Sequence, residues 1–324
     1  MALPISVRGK FSLHPQRDCE CAKGSRRIVT AVVLAGVLLL AAAIGSRPAT
    51  AQAAMEASPP PSQLDTAFAQ MYETQFERAR NTVQTFEKLY PDDPMGPAAE
   101  AASYLFEEFN RQEVLTSAFF LDNKKLLGGV ENPPDPALRV GFLDAIGRAR
   151  QITTSQLVLH HADTRALLAL TICAGMQSDY ESLIEKKPLA SLHYLREAQD
   201  NAGKLLVADP GAGDAYVATG AADYIIGCMP SYKRAFLWMG GIHGDRPRGM
   251  EEVRKATLQA HYLRPFAQLL LALASLRENQ PAQARDLYAQ LVREFPENPL
   301  FPHELAIATA RASGGKPCRA NATC

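Results

Sequence analysis

Residues 76–94 read FERARNTVQTFEKLYPDDP, and the fold of the chain follows from them. Phe76, Ala79, Val83, Phe86 and Tyr90 recur every three or four positions, the period that gathers apolar side chains on one stripe of an α-helix. Pro91 and Pro94 end that helix and open the next, because proline has no N–H and its ring collides with the turn before it. Just upstream, Leu64, Ala67, Phe68, Met71 and Tyr72 form a second stripe. The Glu73-Thr74-Gln75 junction between the two stripes is so short that the helices must pack antiparallel. The unit is a helical hairpin closed by proline.

The unit recurs. Twelve residues separate Ala79 from Pro91, Ala198 from Pro210 and Ala284 from Pro296, and Val253 and Pro265 repeat the interval with a larger first residue. A lone hairpin leaves one apolar face bare and only the next hairpin covers it, so recurrence at a fixed spacing is physically required. Small residues at the crossing let the helix axes approach. This relation, with the ends Leu205-Leu206-Val-Ala-Asp209-Pro210 and Phe295-Pro296-Glu-Asn-Pro299, resembles the tetratricopeptide repeat. Tyr216 and Gly220 stand where that family has its first-helix aromatic and its close-contact glycine. The resemblance implies an all-α fold, an α-solenoid of tetratricopeptide-like hairpins over residues 63–312, and a role in protein–protein interaction. The 119 residues between Ala79 and Ala198 imply irregular insertions. Asp122–Asp135 is expected as a loop, followed by a helix that Asp135 caps and Pro136 opens. A second insertion is expected around Met229–Arg248.

The ends carry the compartment. Ile28–Ser46 is uncharged and largely apolar, preceded by Arg26-Arg27 and followed by Ala49-Thr50-Ala51, the layout of a secretory signal cleaved after Ala51. The run is also long enough to span a bilayer, so residues 1–51 are a signal peptide or an N-terminal anchor. Either way the excess of bases before the run directs the body out of the cytoplasm, to the periplasm or cell envelope. Residues 52–62, with Pro59-Pro60-Pro61, form a linker, and residues 313–324 a tail in which Cys318 and Cys324 could close a small disulfide loop. The first 51 residues hold seven Lys and Arg against two acids, so the neutral whole leaves a body of net charge −5. That balance speaks against nucleic acid as a partner, and membrane contact is assigned to the N-terminal segment alone.

Chemistry is thinly marked. His160-His161-Ala-Asp163 puts two histidines on different helix faces, and Asp163 reads as an N-cap. Gly211-Ala-Gly213 follows a helix rather than a strand, which removes the dinucleotide-loop reading. No cysteine pair has zinc spacing and no nucleophile elbow occurs, so no catalytic, metal or cofactor residue is assigned. The least generic stretch runs from Pro230 to Arg246 and holds the only tryptophan. Tyr232, Lys233, Arg234, Trp238, His243 and Arg246, with Tyr224 on the helix before, are the binding candidates, since aromatic and basic groups together suit an anion or a protein hot spot. The run GGIHGDRPRGMEEV, residues 240–253, is locally similar to helix junctions of exported tetratricopeptide proteins that accompany solute transporters, and of the inclusion-body clearance family. The primary expectation is a scaffold for another cell-envelope protein. The alternative is a solute- or lipid-binding protein holding a small apolar or anionic ligand. Two helices, Ala215–Ile226 and Phe266–Leu276, are apolar nearly all round, so the inner surface is expected to be partly filled, by the Met229–Arg248 insertion. An apolar pocket near Trp238 with convergent Arg or Lys would mark the alternative; an exposed apolar patch without a pocket would mark the scaffold.

Overall fold

The computed structural model describes residues 62–239 and 243–314, and among them every regular element is helical. The leader, most of the linker, and Cys318 and Cys324 lie outside the described residues. Five antiparallel hairpins follow one another: α1 (Gln63–Tyr72) with α2 (Phe76–Leu89), α3 (Met95–Arg111) with α6 (Pro136–Leu159), α7 (Thr164–Asp179) with α8 (Pro188–Ala208), α9 (Ala215–Cys228) with α11 (Arg246–Gln259), and α12 (Arg264–Arg277) with α13 (Pro281–Glu294). Helix α14 (Leu300–Ala312) covers the last. Insertions supply α4 (Ser117–Phe120), α5 (Asn123–Gly128) and α10 (Ser231–Met239), and a π-helical turn, Tyr180–Ile184, extends α7. This is the expected α-solenoid.

Local chemistry sets the boundaries. Ser62 opens α1 with a reciprocal box: its hydroxyl accepts from Asp65 N–H at 3.1 Å while the Asp65 carboxylate accepts from Ser62 N–H at 2.8 Å. Asp135 caps α6 as expected, accepting from Ala137 and Leu138 N–H at 2.8 and 3.0 Å. Asp163 caps α7 by accepting from Ala166 N–H at 2.9 Å. The stretch expected as a loop after Asp122 instead holds α5, because the Asp122 carboxylate satisfies Lys124 N–H at 2.7 Å and starts a short helix.

The repeat is more regular in space than in sequence. Ala79, Ala149, Ala198, Gly249 and Ala284 are buried, and each stands ten residues before the end of its outer helix. Two positions beyond each helix end stand Pro91, His161, Pro210, His261 and Pro296. The second hairpin therefore has the full repeat with histidine in the proline place. The pairing of Val253 with Pro265 is corrected: α11 ends at Gln259, Pro265 lies in the first turn of α12, and the crossing residue is Gly249. A Cβ on Gly249 would meet Tyr224 N at 2.4 Å and one on Gly220 would meet Val253 N at 2.8 Å, so α9 and α11 touch backbone to backbone between two glycines. Gly220 has the close-contact role expected of it. Tyr90, placed on the core stripe by its spacing, is exposed past the end of α2.

The array curls back on itself. The rings of Phe68 and Tyr262 stack at 5.0 Å, Tyr72 donates its hydroxyl hydrogen to the Tyr262 carbonyl at 3.0 Å, and Asn298 donates to the Tyr72 carbonyl at 2.6 Å. The first hairpin thus packs on the turns before α12 and α14. Phe106 of α3 meets Phe266 of α12 at 5.5 Å across the middle, which brings the second hairpin against the fifth. The filling comes from α4 and α5 rather than from the Met229–Arg248 insertion, of which Leu237 alone is buried among the described side chains, against Ile226. The α4–α5 insertion is fastened by Ser117 N–H donating to buried Glu304 at 3.1 Å and by Arg277 donating to the Phe120 carbonyl at 2.9 Å.

Gly249→Ala is expected to cost about 1–3 kcal/mol of stability, because the backbones at the crossing must separate. Gly203→Ala, on the exposed face of α8 where a Cβ would meet nothing within 4 Å, is expected to gain about 0.5–1 kcal/mol. Urea unfolding of both variants checks the contrast; equal shifts would mean that the crossing does not govern the packing.

Candidate functional site

Curling the array leaves a cavity of about 200 Å³ enclosed by α3, α4, α5, α7, the π-helical turn, α8, α9 and α12. Its wall is almost wholly hydrocarbon and aromatic, with Phe109, Phe120, Met176, Leu183, Ile226 and Phe266 among the large groups. A largely apolar space of this size has room for a small apolar molecule. Polar groups gather chiefly where α7 runs into the π-helical turn. Ser178, Asp179, Ser182 and Ser191 all line the wall there, and the Ser178 and Ser191 hydroxyls share a hydrogen bond at 3.2 Å.

The π-helical turn has a local cause. Glu185 N–H reaches back to the Tyr180 carbonyl at 3.0 Å, which widens the helix by one residue. The residue that would satisfy the Leu183 carbonyl in such a turn is Pro188, which has no N–H. Val130 N–H takes that place at 2.9 Å. Gly129, at φ +77°, makes the approach possible, since a Cβ there would meet the Leu183 oxygen at 2.4 Å. The exit of the α4–α5 insertion is thereby hydrogen-bonded to the segment that carries Asp179.

Asp179 stands apart from the other enclosed carboxyls. Glu108 accepts from Arg111 at 2.7 Å and Gln112 at 2.9 Å, Asp223 pairs with Arg248 at 2.7 Å, and Glu100 pairs with Arg148. Asp214, at another part of the cavity wall, accepts from the N–H groups of His261 at 3.0 Å and Leu263 at 2.7 Å. Glu304 accepts from Ser117. Asp179 has neither a hydrogen bond nor an ion pair, and burial alone pushes its carboxyl up to about 7.

The binding candidates read from the sequence sit elsewhere. Tyr224 is buried between α9 and α12, its hydroxyl donating to Glu278 at 3.0 Å, and Arg246 meets the same carboxylate. This joins Tyr224 and Arg246 in one ion-paired cluster tying α9, α11 and α12 together. Arg234 donates to the Gly227 carbonyl at 3.4 Å, while Trp238 and His243 are exposed. The side chains of Tyr232 and Lys233 lie outside the described residues. None of the described candidates lines the 200 Å³ cavity. Asp179 was missed because an Asp at the end of an apolar helix reads as a solvated terminus; only the turn of helix beyond it and the insertion over it enclose the carboxyl. Among the described residues no group of three or more His, Cys, Asp and Glu could hold a metal ion, and no helix is long and apolar enough to cross a membrane. Cys173 and Cys228 are free thiols, and burial pushes the Cys173 thiol up to about 12.

The raised Asp179 value has a signed consequence. Between its ordinary value near 3.8 and about 7 the folded protein holds a proton that the unfolded chain has released, so this group's contribution to stability rises as pH falls through that window. Asp179→Asn is expected to be about 1–3 kcal/mol more stable than the wild type near pH 8, with the difference vanishing near pH 4. Thermal melts across that range read it; a constant offset would mean the carboxyl is solvated.

Residues 266–298, which take in α12, α13 and the turn after them, match the family model of the tetratricopeptide repeat. No curated protein and no solved structure matches the chain. The matched hairpin carries Ala284 at its crossing, the fully buried Tyr288 four residues on and Pro296 at its end, and four hairpins before it place a small buried residue at the same position, so the described residues form an all-α solenoid of helical hairpins in which residues 266–298 match a tetratricopeptide repeat.

Proposed function

We propose that the protein is a non-catalytic scaffold of the cell envelope that presents one rim of its solenoid to another envelope protein. The observation that carries this reading is a row of exposed apolar side chains at equivalent places in successive repeats. Leu89, Leu159, Val207 and Leu258 stand nine or ten residues past the crossing residues of α2, α6, α8 and α11, and all are exposed, Val207 at 86 % and Leu258 at 79 %. Tyr90 and Val158 extend the row. The helix ends they occupy are neighbours: Gln156 donates to the Asp92 carbonyl at 2.6 Å, and Arg150 grips Glu197 through two bonds at 2.7 and 2.8 Å, which aligns α6 with α8. Gly213, just beyond α8, lies against the backbone of Gln259. Single exposed apolar residues need no explanation, whereas a row of them along one rim is the pattern of an interaction surface. Tetratricopeptide repeats are a protein-binding architecture, which agrees with this reading. Trp238, 66 % exposed, with Arg234 close in sequence, is a second contact point.

Placement outside the cytoplasm rests on the basic, apolar and small-residue order of residues 26–51. The apolar cavity supports a second reading, solute or lipid binding, although Trp238 does not line it and no Arg or Lys among the described residues does.

Replacing Leu89, Leu159, Val207 and Leu258 together by serine is expected to leave stability nearly unchanged, each exposed site contributing within about 0.5 kcal/mol. The same variant is expected to lose a partner captured by cross-linking in intact cells and read by mass spectrometry of the envelope fraction. Unaltered capture would remove the rim assignment, and recovery of the wild type in the cytosolic fraction would remove the envelope assignment.

A further inference from the structure

We propose that the 200 Å³ cavity is a binding site for a small apolar primary amine, with its hydrocarbon body between α3, α4, α9 and α12 and its ammonium group on Asp179. The proposal rests on the second of the two readings above and gives it a ligand chemistry.

Three features of the wall select that chemistry. The first is size. A cavity of about 150 Å³ accepts benzene, so one of 200 Å³ takes a body of roughly eight non-hydrogen atoms, too small for a two-chain lipid or a folded peptide. The second is sign. Among the described residues Asp179 and Asp214 are the ionisable groups on the wall, and Asp214 is already engaged by two backbone N–H groups, so an anionic head would meet an unpaired carboxyl and no described cation. A buried carboxylate without a partner is costly, and a ligand that supplies the missing cation recovers that cost on binding. The third is hydrogen-bonding capacity. An ammonium has three donors, and Asp179, Ser182 and the Ser178–Ser191 hydroxyl pair set a carboxylate and hydroxyl oxygens on neighbouring parts of the wall. The other enclosed carboxyls of the molecule are held by arginine, glutamine or backbone N–H; the position left for the ligand is the missing partner of this one.

Gly175 provides a way to fill the space without disturbing the fold. It lies within α7 on the cavity wall, and a Cβ built on it meets nothing within 4 Å, so a larger side chain there enters the void. Replacing glycine inside a helix by a good helix former also favours the helix, so Gly175→Leu is expected to melt no lower than the wild type.

Isothermal titration of the purified body, residues 52–324, near pH 8 with octylamine, 1-octanol and octanoate holds the chain constant and varies the head. Folding of that protein is checked by its helical circular dichroism and a cooperative melt before titration. Octylamine is expected to bind at least tenfold more tightly than either analogue. Asp179→Asn is expected to abolish that preference while 1-octanol binding stays within about threefold, and Gly175→Leu is expected to abolish binding of all three probes. Octylamine and 1-octanol binding equally, or a preference that survives Asp179→Asn, would overturn the amine assignment and leave an apolar-ligand site standing. Absence of binding by all three probes to folded wild-type protein would overturn both the site and the solute-binding reading, and would leave the rim scaffold untouched.

Discussion

The structure depends on the approach of each outer helix to its inner partner at one small residue ten positions before the outer helix ends. Ala79, Ala149, Ala198, Gly249 and Ala284 are buried at these crossings, where a small side chain lets the paired axes approach. After five hairpins, Phe68 and Tyr72 reach Tyr262 and Asn298, and the first repeat meets the last. An array that had stayed open would have needed polar inner helices. One that closes can make α9 and α12 apolar over most of their surface, with Asp223 and Gln268 among the few polar groups they bury.

Closure also decides the energetics of the interior. Once α3 and α12 meet through Phe106 and Phe266, a carboxyl inside can no longer draw on solvent. Glu108 obtains its partners, Arg111 and Gln112, from the end of its own helix, while Asp214, Asp223 and Glu304 each obtain one from a neighbouring turn, helix or insertion, and these three double as fastenings between elements. Asp214 is the clearest case: by holding the His261 and Leu263 N–H groups it sets the turn on which Tyr262 stands, and Tyr262 is where the first hairpin docks. The same burial that makes Asp214 a structural clamp makes the unpartnered Asp179 an anomaly.

The fold was legible because it rests on a short-range signal, namely the spacing of apolar and small residues within single helices. Ala79, Ala198 and Ala284 announced their hairpins through proline at a fixed distance. The second hairpin was hidden because His161 stands past α6 where proline stands past α2, α8 and α13. The fourth was misregistered because Val253 and Pro265 imitate the interval while Gly249 carries the contact. The site was not legible, because no local pattern encodes it. Asp179 becomes enclosed through α5, the strap at Gly129 and Val130, and helices far along the chain. The Trp238 segment attracted notice through unusual composition, yet apart from the buried Leu237 its described side chains lie at or near the surface, Arg246 in an ion-paired cluster with Glu278.

Rim and cavity are not independent parts of this molecule. The rim residues lie at the C-terminal ends of outer helices, and the cavity is bounded by the inner helices that those outer helices cross. The hairpin of α7 and α8 carries both: Val207 stands near the end of α8, while Asp179 ends α7 and Ser191, Leu192 and Leu195 of α8 face the cavity. Arg150 and Glu197 tie α8 to α6, so Val207 and Leu159 keep their spacing while α7 and α8 pack around the cavity. If the proposed rim and the proposed cavity both bind, linkage requires that any affinity the rim gains when the cavity is filled is matched by what the cavity gains when the rim is occupied.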